Sequence, residues 1–254
     1  MTGTRIVVAG ALAAALMGGV YAEQGAPPTA PPQQTPGAGR GRGGGRGAGA
    51  GGFGSSEIAP LLFEERWTSL PNAQPITQEH LSNQNLRLHL YGDIAAIRKS
   101  NHEPEYYTYT GEARTNWALT VSDPAYLWDL SGTGKVMLRT RNTGWRFTHV
   151  VIKTADGRFY ASEEGSGEST SWMNIEYPLQ DLHWRTLLMT DTPTNASNRR
   201  KPDPTLVPII PTTRATPDFS RVDEVGFSDL MPGGWIPATS RVNAWAVYGK
   251  KVAR

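Results

Sequence analysis

The sequence predicts an antiparallel β-sandwich, and three observations carry that expectation. From residue 61 onward, short stretches rich in β-branched and aromatic residues recur, each bounded by Gly, Pro, Asn, Asp or Ser. No segment sets apolar residues at helical spacing to form a stripe. The chain also holds 28 Gly and 19 Pro, a background that favours turns over long helices. Many short strands joined by such turns pack as two antiparallel sheets.

At the start of the chain, Arg5 precedes the apolar run 6–20, and Val20-Tyr21-Ala22 offers small residues where a signal peptidase reads. Residues 1–22 therefore read as a secretory signal peptide cleaved after Ala22. An uncleaved anchor is the alternative, although the run is shorter than the roughly 20 residues that span a bilayer. No later segment is apolar enough to span. Residues 23–36 are mostly Pro, Gln, Thr and Ala, and 37–54 are mostly Gly and Ala with three arginines. Neither stretch can bury enough apolar surface to offset ordering entropy, so 23–54 is expected to be a disordered linker. Its Arg-Gly repeats resemble an RNA-contacting RGG box, but behind an export signal a tether to the envelope is the better reading. One domain, 55–254, remains, and its expected location is secreted or periplasmic, with envelope association as an option.

The chain carries 25 Lys and Arg against 23 Asp and Glu. Residues 1–54 take four of the arginines and one acid, leaving 21 basic against 22 acidic residues and a charge of −1 for the rest. A nucleic-acid partner drawn by a basic field is not supported. Without cysteine, the domain must hold together on its core alone.

Within the domain, residues 61–67 read as a first strand, and Leu86, Leu88 and Leu90 alternate with Arg87 and His89 in a half-buried second. Residues 117–121 follow. The stretch 135–162, KVMLRTRNTGWRFTHVVIKTADGRFYAS, reads as three strands at 136–141, 145–154 and 158–161. Its turns fall at Asn142-Thr143-Gly144 and Ala155-Asp156-Gly157, predicting an antiparallel meander in the middle of one sheet. Residues 173–177, 184–188, 222–227 and 243–248 repeat the strand pattern. Between them, 191–217 contains six prolines and an Arg199-Arg200-Lys201 knot, so it reads as a long excursion. Asn195-Ala196-Ser197 matches the N-glycosylation pattern, which is read as chance.

Side-chain parity puts Arg139 and Arg141 on one face of the first meander strand, and Trp145, Phe147, His149, Val151 and Lys153 on one face of the second. Two readings stay open: a half-exposed sheet whose long side chains cover apolar neighbours, or a binding surface formed by Arg139, Arg141, His149 and Lys153. Trp235 sits in Pro232-Gly233-Gly234-Trp235-Ile236-Pro237, a loop expected to hold the ring off the sheet. Trp172 follows the polar loop 165–171. Both suit an apolar sugar face, whereas Trp67, Trp117, Trp128, Trp184 and Trp245 are expected in the core. Tyr106, Tyr107 and Tyr109 fit either an edge strand or a loop platform. The five histidines lack metal-site spacing. Among the acids, Asp223 and Asp229 stand too far apart on one strand to act together, and no nucleophile elbow, phosphate loop or zinc motif is present.

Three stretches, DLSGTGKVMLRTRNTGWRFTHVVIKTADGRFYASE, WMNIEYPLQDLHWRTLLM and DFSRVDEVGFSDLMPGGWIPATSRVNAWAVYGKKV, resemble in that order the galactose-binding-domain-like jelly rolls. These include carbohydrate-binding modules and the related domain of complex I intermediate-associated proteins. The resemblance covers roughly residues 61–252, and Trp184-Arg185 and the ending VDEVGFSDL…SRVNAWAVYG are its most telling parts. It implies an eight-stranded or similar jelly roll that binds a glycan on its end loops or open face. It also implies a possible structural calcium between the first and last strands, to which Glu64 and Glu65 could contribute, although Asn243 stands where an acid would serve better. No other cofactor is implied. The functional expectation is a secreted, non-catalytic module that binds a saccharide or glycan through Arg139, Arg141, His149, Lys153, Trp172, Glu176 and Trp235. The alternatives are a glycoside-active enzyme using Glu176 and a second acid, and an assembly factor with a protein partner.

Overall fold

A computed structural model of the chain describes residues 58–92, 97–100, 105–110, 116–144, 146–189, 213–230 and 239–254. The expected signal peptide, the linker, most of the Pro-rich excursion and Trp235 lie outside the described residues. The described strands form two sheets, and every pairing between them is antiparallel. One sheet holds β1 (Leu61–Glu65), β3 (Ile97–Ser100), β4 (Tyr107–Thr110), β7 (Lys135–Thr140), β10 (Met173–Pro178) and β14 (Arg241–Tyr248). Its order is β10-β7-β14-β4-β3, with β1 also on β14. The other holds β2 (Arg87–Tyr91), β5 (Ala118–Ser122), β6 (Tyr126–Asp129), β8 (Thr148–Thr154) and β9 (Phe159–Ser166), then β11 (Trp184–Leu187), β12 (Arg214–Ala215), β13 (Val222–Ser228) and β15 (Lys250–Ala253). Its order is β12-β11-β9-β8-β13-β5-β2, with β6 joining β13 to β15. Among the described residues, helix is confined to three-residue turns such as Gln78–His80 and Phe219–Arg221. The expected antiparallel sandwich is the fold, with more strands than eight.

The inner faces meet in an aromatic core, because in each strand alternate residues turn inward. Phe63 and Trp245 come from the six-stranded sheet, and Trp128 and Phe227 from the nine-stranded one. Phe63 lies 5.3 Å from Trp128 and 5.6 Å from Trp245, and Phe227 lies 5.3 Å from Trp245, measured between ring centroids. Each such pair adds about 0.5–1.5 kcal/mol beyond the area it buries. Trp67, Trp117 and Trp184 are buried as well, so all five tryptophans expected inside are inside.

The meander is where the expectation fails. β7 pairs with β10 and β14, and β8 pairs with β9 and β13; the two consecutive strands lie in different sheets. The hairpin at 155–157 does form, with Gly157 at φ 84° as that turn requires. Asn142-Thr143-Gly144 is instead a crossover between sheets. The buried Asn142 side chain fixes it by donating to the Ser166 carbonyl at 2.5 Å and accepting from Thr148 Oγ1 at 3.1 Å and Arg241 N at 3.2 Å. A side chain with three partners beyond the turn overrides the local turn signal, since its hydrogen bonds are made only when the chain leaves one sheet for the other.

Candidate functional site

The outer face of the six-stranded sheet is built from residues that alternate with the core. On β7, Val136 and Leu138 are buried while Lys135, Met137 and Arg139 face out. The register aligns Asn174, Arg139 and Ala244 in one row, and Glu176, Met137, Ala246 and Glu64 in the next. Alanine at 244 and 246 leaves the middle of the face low between longer neighbours. The result is a groove of about 220 Å³, floored by these alanines and bordered by Arg139, Asn174, Glu64 and Tyr248.

One end of this face carries an aromatic and basic wall. Trp172, two residues before Asn174 and of the same parity, lies 5.6 Å from the Tyr107 ring, and Tyr107 lies 5.9 Å from Tyr109. The Arg139 guanidinium sits 5.6 Å above the Trp172 ring, and that of Arg241 sits 6.0 Å from Tyr107. Arg139 is oriented from two sides: it pairs with Glu105 and donates to Asn243 Oδ1 at 2.9 Å. Asn243 is available because β14 bulges between Val242 and Ala244, and a bulge re-aims the extra side chain. Its amide then donates to the Tyr106 carbonyl at 2.6 Å. At the other end Lys135 pairs with Glu176 at 2.9 Å and lies 5.0 Å from the Tyr248 ring. Glu64 pairs with Arg66 at 2.6 Å.

Of the residues proposed from sequence, Arg139, Trp172 and Glu176 share this face. Arg141 is exposed just beyond the end of β7. His149 and Lys153 do not join them: both lie on β8 in the nine-stranded sheet, so a single surface of Arg139, Arg141, His149 and Lys153 does not exist. The crossover at Asn142 is the physical reason. His149 meets the Ser162 carbonyl at 2.9 Å and lies over Gly165, where a Cβ would come within 2.8 Å of the imidazole. Burial holds its pKa below the usual 6.5. Lys153 pairs with Glu224 at 2.7 Å. Trp235 is outside the described residues. Tyr107 answers both readings of the tyrosine cluster, since it lies on a strand and offers its ring on the outer face. Sequence reasoning missed Ala244 and Ala246, whose signal was present as the small residues alternating in NAWAVY.

The calcium expectation does not fit the donors. Both Glu65 oxygens are already taken, accepting from the backbone N–H groups of Trp67 at 2.8 Å, Ser82 at 2.7 Å and Asn83 at 2.9 Å. Glu64 and Asn243 have the partners given above. Among the described residues no group of three or more His, Asp or Glu gathers to hold an ion. Glu176 and Glu64 sit three strands apart, about 14 Å at about 4.8 Å per strand, against the roughly 5–9.5 Å between catalytic carboxylates.

No protein-family model matches the chain, and no curated protein matches it. Solved structures do match. A family 29 carbohydrate-binding module is 9% identical, with 74% of this chain and 92% of that one covered at a TM-score of 0.39. BiXyn10A CBM1 is 8% identical over 75% and 99%, at 0.37. An agarase, AgWH50C, is 10% identical over 71% of this chain and 25% of that one, at 0.38. At such values the description of the fold rests on the strand pairing itself. No helix among the described residues is long and apolar enough to cross a membrane.

Proposed function

We propose that the chain is an exported, tethered, non-catalytic module that binds a saccharide along the outer face of its six-stranded sheet. The observation that carries this reading is the wall of Trp172, Tyr107 and Arg139 beside the alanine-floored groove. A flat ring matches the apolar face of a pyranose, and hydrogen bonds at the sugar's rim strengthen once the ring excludes water. Arg139 is held by Glu105 and Asn243 before any ligand arrives, so less rotamer entropy is lost on binding. The leader at 1–22 and the Pro- and Gly-rich linker at 23–54 support export and tethering of the domain.

Affinity electrophoresis of the protein in gels containing soluble glucan, mannan, xylan or galactan tests the proposal. Retarded migration in at least one gel is expected. Unchanged migration in all of them, with no signal on a glycan array, overturns it. A protein partner retained in stoichiometric amount under those conditions would favour the assembly-factor alternative.

A further inference from the structure

The outer face of the nine-stranded sheet carries a second groove, of about 460 Å³, lined by residues that the six-stranded face does not share. On β2, Leu88 and Leu90 pack against the core, so Arg87, His89 and Tyr91 turn outward. The register sets Arg87 opposite Ser122, His89 opposite Thr120, and Glu224 opposite Lys153. The volume lies within the roughly 300–1,000 Å³ of small-molecule pockets.

Glu224 occupies the floor of this groove and is only 2% exposed. It accepts from the Tyr91 hydroxyl at 2.8 Å, the Lys153 ammonium at 2.7 Å and the Thr120 hydroxyl. An outer sheet face needs only to be wetted, so sinking a carboxylate there against three donors has no role in closing the core. Its effect is to fix the Tyr91 ring and the Lys153 stem. Burial, followed by the Glu224 hydrogen bond, pushes the Tyr91 phenol up to about 12, and it stays neutral. Burial works against the Lys153 ammonium, but Glu224 outweighs it and lifts the pKa above its usual value, so the amine stays charged.

Around that anchor stand the parts of a sugar platform. Tyr91 packs edge-on against Phe159 at 4.8 Å, and His89 lies 6.3 Å from Tyr91 with its ring 18° from parallel. His89 is set by a 2.8 Å contact from Nε2 to Ser122 Oγ. Arg87 is exposed at the rim and forms no ion pair among the described residues. The near-parallel rings of Tyr91 and His89, fixed in place and bordered by the Arg87 guanidinium, offer a flat surface and a polar rim suited to a pyranose.

We infer that this groove is a second saccharide-binding site, on the sheet face opposite the first, so that one molecule engages two sugar chains. Neither site borrows a residue from the other, so each can be removed alone. The test is calorimetric titration of the full chain with cellohexaose, mannohexaose and xylohexaose, for the wild type, Trp172→Ala, Arg87→Ser/His89→Ala and the combination. The rim pair is chosen because it leaves Glu224 its three donors, and Tyr91→Ala serves as a second variant where unfolding confirms that it folds. With a hexaose that binds, the wild type is expected to take up two molecules per chain. Trp172→Ala should retain one site, which the added rim changes weaken at least tenfold. A stoichiometry of one, abolished by Trp172→Ala, overturns the second site and leaves the first standing. Binding unmoved by Trp172→Ala but lost in the rim variant supports the second site and overturns the first. Absence of binding to all three hexaoses overturns the inference.

Discussion

Two arginine–carboxylate pairs in this molecule have the same chemistry and opposite surroundings. Arg146 and Asp229 meet at 2.7 Å with side-chain exposures of 4% and 0%. Asp229 also accepts from Trp117 Nε1 at 2.8 Å, Thr110 Oγ1 at 2.8 Å and Ser240 Oγ at 3.0 Å. Arg139 and Glu105 pair at the groove wall with exposures of 33% and 23%. In the dry site, partners from the end of β4 and from the residues just before β5 and β14 converge on one acid, so that pair ties strands together. In the half-wet site water still reaches the guanidinium, so the pair contributes little to folding and holds a binding group in place.

Breaking the dry pair gives the largest expected effect. Asp229→Ala removes the buried carboxylate that pairs with Arg146 and should lower stability by about 3–5 kcal/mol, read as a fall in the denaturant midpoint with an unchanged slope. Next comes the half-wet wall. Trp172→Ala should weaken saccharide binding by about 2 kcal/mol while moving stability by less than about 1 kcal/mol, in calorimetry and unfolding respectively. An unfolding loss as large as that of Asp229→Ala would erase the distinction between the two regions.

His149 lies between the extremes and supplies a pH test. Its folded pKa is depressed by burial, so the unfolded state takes up its proton first as pH falls through the unfolded value near 6.5. Its contribution to stability is therefore present above that pH and is lost as pH falls below it toward the folded pKa. His149→Gln should flatten this part of the stability profile measured by urea titration at stepped pH. The smallest effect is expected at Lys135, paired with the half-exposed Glu176: Lys135→Ala should cost about 0.2–1 kcal/mol, and less in high salt.

What was legible in the sequence depended on how local the cause was. Strand positions and inward tryptophans followed from period-2 alternation, as in Val136, Leu138 and the NAWAVY ending. The 155–157 hairpin followed from Asp-Gly turn chemistry. The β7-to-β8 crossover was not legible, because it is fixed by Asn142 reaching residues 6, 24 and 99 positions away, and an Asn-x-Gly triplet reads the same in a hairpin and a crossover. That one misreading merged the two outer faces and joined His149 and Lys153 to the wrong site. Arg139 follows from strand parity, Trp172 from the polar loop before it, and Glu176 from its being an acid at hand. Glu105, Asn243 and Arg241 complete their surroundings only through pairing of β7, β14 and β4 and a bulge, neither of which leaves a pattern in sequence.

The central claim is that a saccharide lies on the outer face of the six-stranded sheet. Backbone amide shifts of the isotopically labelled protein, followed while a polysaccharide-derived hexaose is titrated in, test it most directly. The account predicts perturbation of Arg139, Asn174, Ala244 and Ala246 and of the Trp172 indole, saturating together at one affinity. Saturable binding that leaves all of these signals unmoved would contradict it.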